Sequence, residues 1–248
     1  MDNVLIITGG SRGIGAATAQ LAAGQGYNVC LTYRRQRQAA QQIVASIQQQ
    51  GGRAIAMAAD MASEADILHL FETVDAQLGT VTALVNNAGI LEPQMRLEDI
   101  DAARLNRILQ ANVVGSFLCA REAVKRMSTK QGGRGGAIVN VSSVAARLGS
   151  PGEYIDYAAS KGAIDTMTIG LAKEVAAEGI RVNAVRPGFI DTDIHASGGE
   201  ANRIERVKEF IPMQRGGQAI EVAHAILWLL SQQASYTTGS FIDLAGGK

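Results

Sequence analysis

The N-terminal segment of this chain of 248 residues constrains its fold most strongly. An apolar run from Val4 to Thr8 ends in Gly9-Gly10-Ser11-Arg12-Gly13-Ile14-Gly15, after which apolar residues recur at helical spacing. This order predicts a buried strand, a glycine turn and a helix. Glycine lets a backbone turn sharply and approach a ligand, and a helix N-terminus presents free N–H groups to a diphosphate. The segment therefore predicts a nucleotide site, with an ordinary strand-to-helix turn as the alternative.

Strand-like and helical patterns alternate along the rest of the chain. Further strands are expected at 28–32, 53–58, 82–85, 137–141, 180–186 and 240–244, with helical runs between them, one of them spanning 97–109. Such alternation predicts the α/β class: a Rossmann-like, doubly wound parallel sheet of about seven strands with helices on both faces. No linker or repeat divides the chain, so we expect one domain over residues 1–248. Within it, the glycine-hinged segment 190–215 is expected to form a substrate lid.

Composition excludes several classes of function. The formal net charge is zero and no long basic run occurs, so neither nucleic acid nor an anionic membrane surface is an expected partner. The N-terminal apolar run is too short for a signal peptide or a membrane span. Cys30 and Cys119 both stand in apolar surroundings, which indicates buried free thiols and a reducing cytoplasm. The three histidines have no ligand spacing, so no metal site is expected.

The end of the second predicted strand carries Tyr33-Arg34-Arg35, followed by Arg37, and no acid, and Arg12 lies in the glycine turn. In dinucleotide folds this position meets the adenosine ribose, where an acid holds the 2′-hydroxyl and an arginine pairs with a 2′-phosphate. We therefore expect NADP(H) to be preferred, with NAD(H) still possible. The alternative is that these arginines only solvate the start of the next helix.

Tyr157 and Lys161 are four residues apart at the start of a predicted long helix, so both side chains lie on one face. A nearby cation favours the phenolate, so Lys161 is expected to lower the pKa of Tyr157 from about 10 towards neutrality. A phenol tuned in this way is a plausible general acid/base for an alcohol oxygen. Ser143 follows the predicted fifth strand, at the sheet edge where ligands bind in open α/β folds.

An ordered set of motifs now resembles the short-chain dehydrogenase/reductase family in its short form. The motifs are Thr8 to Gly15, Asn86-Asn87-Ala88-Gly89, Ser143, Tyr157-x-x-x-Lys161 and Pro187-Gly188. The glycine spacing argues against the extended branch of that family, which includes sugar epimerases. The carboxyl half looks like bacterial members described as glucose 1-dehydrogenase-like.

The resemblance implies a catalytic tetrad. Tyr157 is expected to be the acid/base, Ser143 to orient the substrate oxygen, and Lys161 to lower the Tyr157 pKa and hold the nicotinamide ribose. Asn112 is expected to hold a water that links Lys161 to solvent. Local sequence also favours Asn112 as a helix cap, and the two roles are compatible.

The resemblance also implies a cofactor site, with Asp60 and Met61 at the adenine and Thr192 at the nicotinamide amide. From local sequence alone, the alternative for Asp60 is an ordinary polar loop residue. The full expected set is Gly9, Ser11, Arg12, Gly13, Ile14, Gly15, Tyr33, Arg34, Arg35, Asp60, Met61, Asn87, Ala88, Gly89, Tyr157, Lys161, Pro187, Gly188, Ile190 and Thr192. The implied function is hydride transfer between nicotinamide and a small carbonyl or alcohol, in a homotetramer. A catalytically silent cofactor-binding regulatory protein on the same fold is the alternative, and the intact tetrad argues against it.

The interval from Ser143 to Tyr157 is one residue longer than the family's most frequent spacing. Either the loop has an insertion near Pro151-Gly152, or the catalytic serine is a neighbour. Ser142 makes the interval longer still, so Ser143 is preferred.

Overall fold

A computed structural model describes residues 3–200 and 202–248 of the chain. Its central feature is a parallel sheet with the strand order β3-β2-β1-β4-β5-β6-β9. The strands of this sheet are β1 (Asn3–Ile7), β2 (Tyr27–Tyr33), β3 (Ala54–Ala58), β4 (Ala83–Asn86), β5 (Gly136–Val141), β6 (Ile180–Pro187) and β9 (Phe241–Leu244). The predicted Rossmann-like parallel sheet of about seven strands is confirmed.

The chain starts near the middle of the sheet, which creates a switch point between β1 and β4. From β1 it runs outward through β2 to β3, then returns and continues from β4 in the opposite direction. The crossovers on the two sides of this point diverge and leave a crevice at the carboxyl ends of the strands. Ligands bind in such crevices in open α/β sheets.

Helices cover both faces of the sheet, as a doubly wound fold requires. They are α1 (Gly13–Gly24), α2 (Arg37–Gln49), α3 (Glu64–Gln77), α4 (Ala102–Leu109), α5 (Gly115–Met127), α6 (Ala145–Leu148), α7 (Ile155–Val175), α8 (Ile194–Ser197), α9 (Arg203–Val207) and α10 (Ala219–Leu230). One core cluster joins the sheet to α3, α5 and α7, and the other joins it to α1, α2 and α10. Apolar residues on alternate strand positions supply both cores, so the sheet is buried on each side.

The region around Asn112 differs from the sequence-based prediction. Residues 97–109 are not one helix, because a 3₁₀ turn at Leu97–Asp99 is separated from α4. Asp101 caps the N-terminus of α4, where its side chain accepts a hydrogen bond from the Arg104 N–H at 2.7 Å. No helix begins at Asn112 either. A π-helical turn at Gln110–Val114 joins α4 directly to α5, with helical dihedral angles on both sides. The cap prediction for Asn112 is therefore wrong, since a capping residue needs non-helical backbone.

The segment between β6 and α10 has secondary structure of its own. Two short strands, β7 (Ile190–Asp191) and β8 (Gly217–Gln218), pair in parallel, and α8 and α9 lie between them in the chain. The predicted lid at 190–215 corresponds to this segment, except that residue 201 lies outside the described residues. Its role as a lid stays a prediction.

Both cysteines are buried and free, as predicted. Burial raises the pKa of Cys119 to about 12 and also raises that of Cys30, which keeps both thiols protonated and unreactive. Among the helices of the described residues, none combines the length and hydropathy needed to cross a membrane.

Candidate active site

A cavity of about 1280 Å³ follows the carboxyl edge of the sheet. It runs from the end of β2, past the turn after β1, to the start of α7 and the segment after β6. Nearly all of the predicted site residues line it: Gly9, Ser11, Arg12, Gly13, Ile14, Tyr33, Arg34, Arg35, Asp60, Met61, Asn87, Ala88, Gly89, Ser143, Tyr157, Lys161, Pro187, Gly188, Ile190 and Thr192. Among the predicted residues, Gly15 and Asn112 lie behind this wall.

The glycine turn is held close against the end of β4. Gly9 has a φ of 65°, a left-handed conformation that favours glycine. The Asn87 side-chain amide donates to the carbonyls of Thr8 and Gly9, both at 2.9 Å. A Cβ on Gly15 would lie 2.5 Å from the Gly9 carbonyl and 2.6 Å from Asn87 Nδ2. Gly15 therefore acts by allowing α1 to pack against the turn.

The N-terminus of α1 fits a diphosphate. The helix begins at Gly13, its N-cap residue Arg12 makes no side-chain capping bond, and its first turn carries no acid. The helix therefore offers uncapped N–H groups and the positive end of its dipole to the cavity. The Arg12 guanidinium instead donates to Ser197 Oγ of α8 at 3.2 Å and lies 3.9 Å from Asp193 Oδ2. This cradle matches what a dinucleotide cofactor needs.

At the far end of the cavity, Arg34 and Asp60 face each other. Arg34 Nη1 lies 3.7 Å from Asp60 Oδ2, and both side chains are more than a third exposed. The Met61 side chain is not placed as expected for a contact with adenine. It is buried in the core, where its sulfur lies 3.7 Å from Cys119 Sγ. Any contact of Met61 with a ligand is therefore expected from its backbone.

The proton-transfer groups converge at the other end, near the first turns of α7. Ser143 is the side chain whose hydrogen bonding favours the phenolate form of Tyr157. Ser143 Oγ also donates to the Pro187 carbonyl at 3.3 Å and accepts from the Ala145 N–H at 3.1 Å. By contrast, Ser142 Oγ donates to the backbone carbonyl of Lys161 at 3.2 Å. The geometry thus favours Ser143 as the serine that partners Tyr157.

Lys161 lies beneath Tyr157, with its Nζ 5.5 Å from the centroid of the phenol ring. The ammonium is buried and donates to the Val141 carbonyl at 2.7 Å. Burial lowers the pKa of Lys161 to about 8, against the opposing effect of the Asp165 carboxylate. Lys161 therefore loses its proton, and with it the positive charge, more readily than an exposed lysine does.

Burial raises the pKa of Tyr157 to about 12, and the hydrogen bond with Ser143 opposes that rise. The prediction that Lys161 brings this pKa towards neutrality is wrong for the protein alone. Loss of water around the phenol disfavours the phenolate more than the neighbouring groups favour it. Tyr157 is therefore a protonated acid throughout the physiological pH range.

Asn112 braces the site from behind. Its Oδ1 accepts from the Ile90 N–H at 2.7 Å, and its Nδ2 donates to the Ile90 carbonyl at 3.1 Å and to Ser160 Oγ at 3.2 Å. Ser160 in turn donates to the Tyr157 carbonyl at 2.7 Å. Both amide hydrogens of Asn112 are thus used within the protein. Its expected role in holding a water stays a prediction.

Three buried charged residues near the site are not among the sequence-based predictions. Arg104 and Asp156 form a buried ion pair, with 2.6 Å between Nε and Oδ2. Arg203 of α9 is also buried, pairs with Glu153 and Glu200, and lies over the Tyr154 ring at 5.0 Å. Charges near helix starts or in loops normally face solvent, so a single sequence carries no signal that these are buried.

Comparison with known proteins agrees with this geometry. The family described as Enoyl-(Acyl carrier protein) reductase matches residues 9–248. The chain is 62% identical over 245 residues to the uncharacterized oxidoreductase YgfF of Escherichia coli K12, covering 99% of each protein. It is 39% identical over 251 residues to a human 3-oxoacyl-[acyl-carrier-protein] reductase, covering 100% of this chain and 98% of that protein.

Solved structures show the same relationship. A dehydrogenase/reductase from Sinorhizobium meliloti superposes with a TM-score of 0.91 at 33% identity, covering 99% of this chain and 94% of that one. A variant of a Serratia marcescens short-chain dehydrogenase/reductase superposes with a TM-score of 0.89 at 32% identity, covering 99% and 97%. With its parallel sheet, its glycine cradle and its full-length relatives, the chain belongs to the short-chain dehydrogenase/reductase family of oxidoreductases.

Proposed function

We propose that the protein is an NADPH-preferring reductase of small carbonyl compounds, with Tyr157 as its general acid. The observation that carries this proposal is the convergence of Ser143, Tyr157 and Lys161 in the same cavity as the glycine cradle, where hydrogen bonding by Ser143 favours the Tyr157 phenolate. A protein that only binds the cofactor needs the cradle but not this triad. The 3-oxoacyl substrates named for its relatives are one class to be tested.

The chain's own residues supply the proton chemistry of this reaction. A bound nicotinamide supplies the hydride to the carbonyl carbon. Ser143 and Tyr157 donate hydrogen bonds to the carbonyl oxygen, which stabilises the negative charge that develops there. Tyr157 then gives up its phenolic proton to that oxygen, and the Lys161 ammonium stabilises the resulting phenolate. Proton resupply through Lys161 and a water near Asn112 completes the proposal.

The preference for NADPH rests on the charges at the end of β2. Arg34 and Arg35 line the cavity, and Asp60 is the acid that faces Arg34. A 2′-phosphate placed there would meet guanidinium groups, which bind phosphate through paired, charge-assisted hydrogen bonds. NADH lacks the phosphate and would gain nothing from them.

The remaining proposals concern assembly and compartment. Exposed apolar side chains on α5 and α7, such as Phe117 and Ile169, support a homotetramer built through these helices. The two free thiols support a reducing, cytoplasmic location.

A substitution at Tyr157 tests the reaction. The wild-type protein is screened with aldehydes, ketones, 3-oxoacyl thioesters and aldoses, following nicotinamide absorbance. Tyr157→Phe should lower kcat by at least about a hundredfold on any substrate found, because it removes the proton donor. NADPH should still bind with a Kd within about twofold of the wild type, since the cradle is intact. Full activity in Tyr157→Phe would contradict the mechanism, and a wild type inactive on every class would favour the regulatory alternative.

A further inference from the structure

The ion pair between Arg104 and Asp156 is the most deeply buried one beside the site. The two side chains are 4% and 1% exposed. Arg104 Nε donates to Asp156 Oδ2 at 2.6 Å and Arg104 Nη2 donates to Asp156 Oδ1 at 3.3 Å. This is the two-pronged geometry in which arginine holds a carboxylate most firmly.

Three segments that surround the reaction site meet at this pair. Asp156 lies in the first turn of α7, and its Oδ1 also accepts from the backbone N–H of Tyr157 at 2.9 Å. The third guanidinium nitrogen, Arg104 Nη1, donates to the Pro93 carbonyl at 2.7 Å. The loop that contains Pro93 begins with Ile90, Leu91 and Glu92, which line the cavity. The pair therefore connects α4, the backbone of Tyr157 and one wall of the cavity.

A second connection leads from the same helix to Lys161. After Arg104, α4 continues into the π-helical turn that contains Asn112. Asn112 Nδ2 donates to Ser160 Oγ at 3.2 Å, and Ser160 immediately precedes Lys161. The helix α4 and the π-helical turn that continues it thus contact α7 at two points, one beside Tyr157 and the other beside Lys161.

Stability alone is a poor explanation for such a pair. The cost of removing two charges from water largely cancels their attraction, and apolar side chains of similar size often stabilise a protein as well. Apolar side chains cannot, however, supply directed hydrogen bonds to the Tyr157 N–H and to the Pro93 carbonyl. We propose that Arg104 and Asp156 are a positioning pair that holds Tyr157 and the 90–93 wall in the arrangement needed for proton transfer. This inference rests on the proposed reductase activity.

A double variant separates positioning from stability. Arg104→Met/Asp156→Leu removes both charges together, so no unpaired charge is left in the core, as it would be in either single variant. We expect kcat to fall roughly 10- to 100-fold because the acid is displaced from its substrate. The Kd for NADPH should change by less than about twofold, since α1 and the glycine turn are untouched. Arg104→Lys keeps the charge but places its three N–H donors on one nitrogen, and should retain a larger part of kcat than the double variant.

The matched control is Arg126→Met, which removes another arginine that pairs with two carboxylates, Asp75 and Glu122, on the α3 and α5 side. It should lower the unfolding midpoint and leave kcat and KM unchanged. If the double variant keeps the kcat of the wild type, the pair is structural only and the proposal is wrong.

Hydrogen exchange provides a readout that does not depend on turnover. In the double variant, amide exchange should rise in residues 90–95 and 155–158 and stay unchanged in the strands. A wild type without carbonyl reduction would contradict the proposed function, and the exchange data would still decide whether the pair orders Tyr157. Unchanged exchange in those two segments would overturn the inference.

Discussion

Lys161 is the residue whose ionisation is expected to limit the reaction at alkaline pH. Burial lowers its pKa to about 8, so its ammonium is present below that pH and lost above it. Tyr157 stays protonated over the same range because its own pKa is raised to about 12. Without the cation, the phenolate left by proton transfer is no longer stabilised. The kcat/KM for carbonyl reduction should therefore be flat below about pH 8 and fall about tenfold per pH unit above it.

Asp165 gives this pH dependence a specific test. Its carboxylate raises the pKa of Lys161, so Asp165→Asn should lower that pKa further and move the alkaline limb to lower pH. The measurement is kcat/KM for the carbonyl substrate between about pH 6 and 10. Asp75→Asn, which removes a carboxylate that pairs with Arg126, is the control and should leave the limb in place. If the pH at which kcat/KM begins to fall is unchanged or higher in Asp165→Asn, Lys161 does not set the alkaline limit of the reaction.

Arg34 is the residue that should decide between the two nicotinamide cofactors. Its partly exposed guanidinium faces the cavity, so a bond to a 2′-phosphate is worth about 1–2 kcal/mol after screening by water. Arg34→Ala should raise the Kd for NADPH about 5- to 30-fold and leave the Kd for NADH unchanged. Arg37→Ala is the control, because Arg37 begins α2 and, unlike Arg34 and Arg35, does not line the cavity. Both Kd values are measured by fluorescence titration. If Arg34→Ala raises the Kd for NADPH and for NADH equally, Arg34 does not select the cofactor through its 2′-phosphate.

For the individual residues of the site, the sequence predicts which side chains come together but not their protonation states. Ser143 comes from one stretch of the chain and Tyr157 and Lys161 from another, and their motifs predict that they meet at the carboxyl end of β5 and the start of α7. The prediction that the Tyr157 pKa is lowered was wrong, because this pKa depends on how much water the folded protein removes from the phenol. Burial of that kind is a property of the packed site and has no pattern in a single sequence.

Among the elements, α1 offers a test of how the cradle is built. A methyl group on residue 15 would press on the Gly9 carbonyl and on Asn87 Nδ2, so Gly15→Ala should cost about 1–3 kcal/mol and weaken NADPH binding. Gly24, at the exposed end of the same helix, has open space where a methyl group would lie, with no neighbouring atom within 4 Å. Gly24→Ala should stabilise the protein by about 0.5–1 kcal/mol. The free energy of unfolding and the Kd for NADPH are measured for both variants. Equal effects of Gly15→Ala and Gly24→Ala would contradict the close packing of Gly15 against the glycine turn.

The helix around Asn112 marks the limit of prediction for elements. The alternation of strand-like and helical patterns was sufficient for the sheet, because buried strands and amphipathic helices have different periods. A π-helical turn keeps helical dihedral angles and changes only its hydrogen bonds, so nothing in the residues of Gln110–Val114 distinguishes it. Its effect is visible in three dimensions, where the Asn112 amide is directed at Ile90 and Ser160.

For the whole molecule, the exposed faces of α5 and α7 are expected to join copies of the chain. Phe117 on α5 is 50% exposed and Ile169 on α7 is 41% exposed. On α7, Gly162 leaves open space, so a partner helix can approach closely. Apolar side chains on adjacent helix faces are typical of surfaces that a partner covers.

Phe117→Glu tests this assembly. A carboxylate at that position would have to lose its water inside the interface, which disfavours association strongly. We expect the wild type to sediment as a tetramer and Phe117→Glu to sediment as a smaller species with a lower unfolding midpoint. Leu68→Glu, at an exposed apolar position on α3, is the matched control and should keep the mass of the wild type. If Phe117→Glu sediments with an unchanged mass, α5 does not contribute to the interface, whatever the number of subunits.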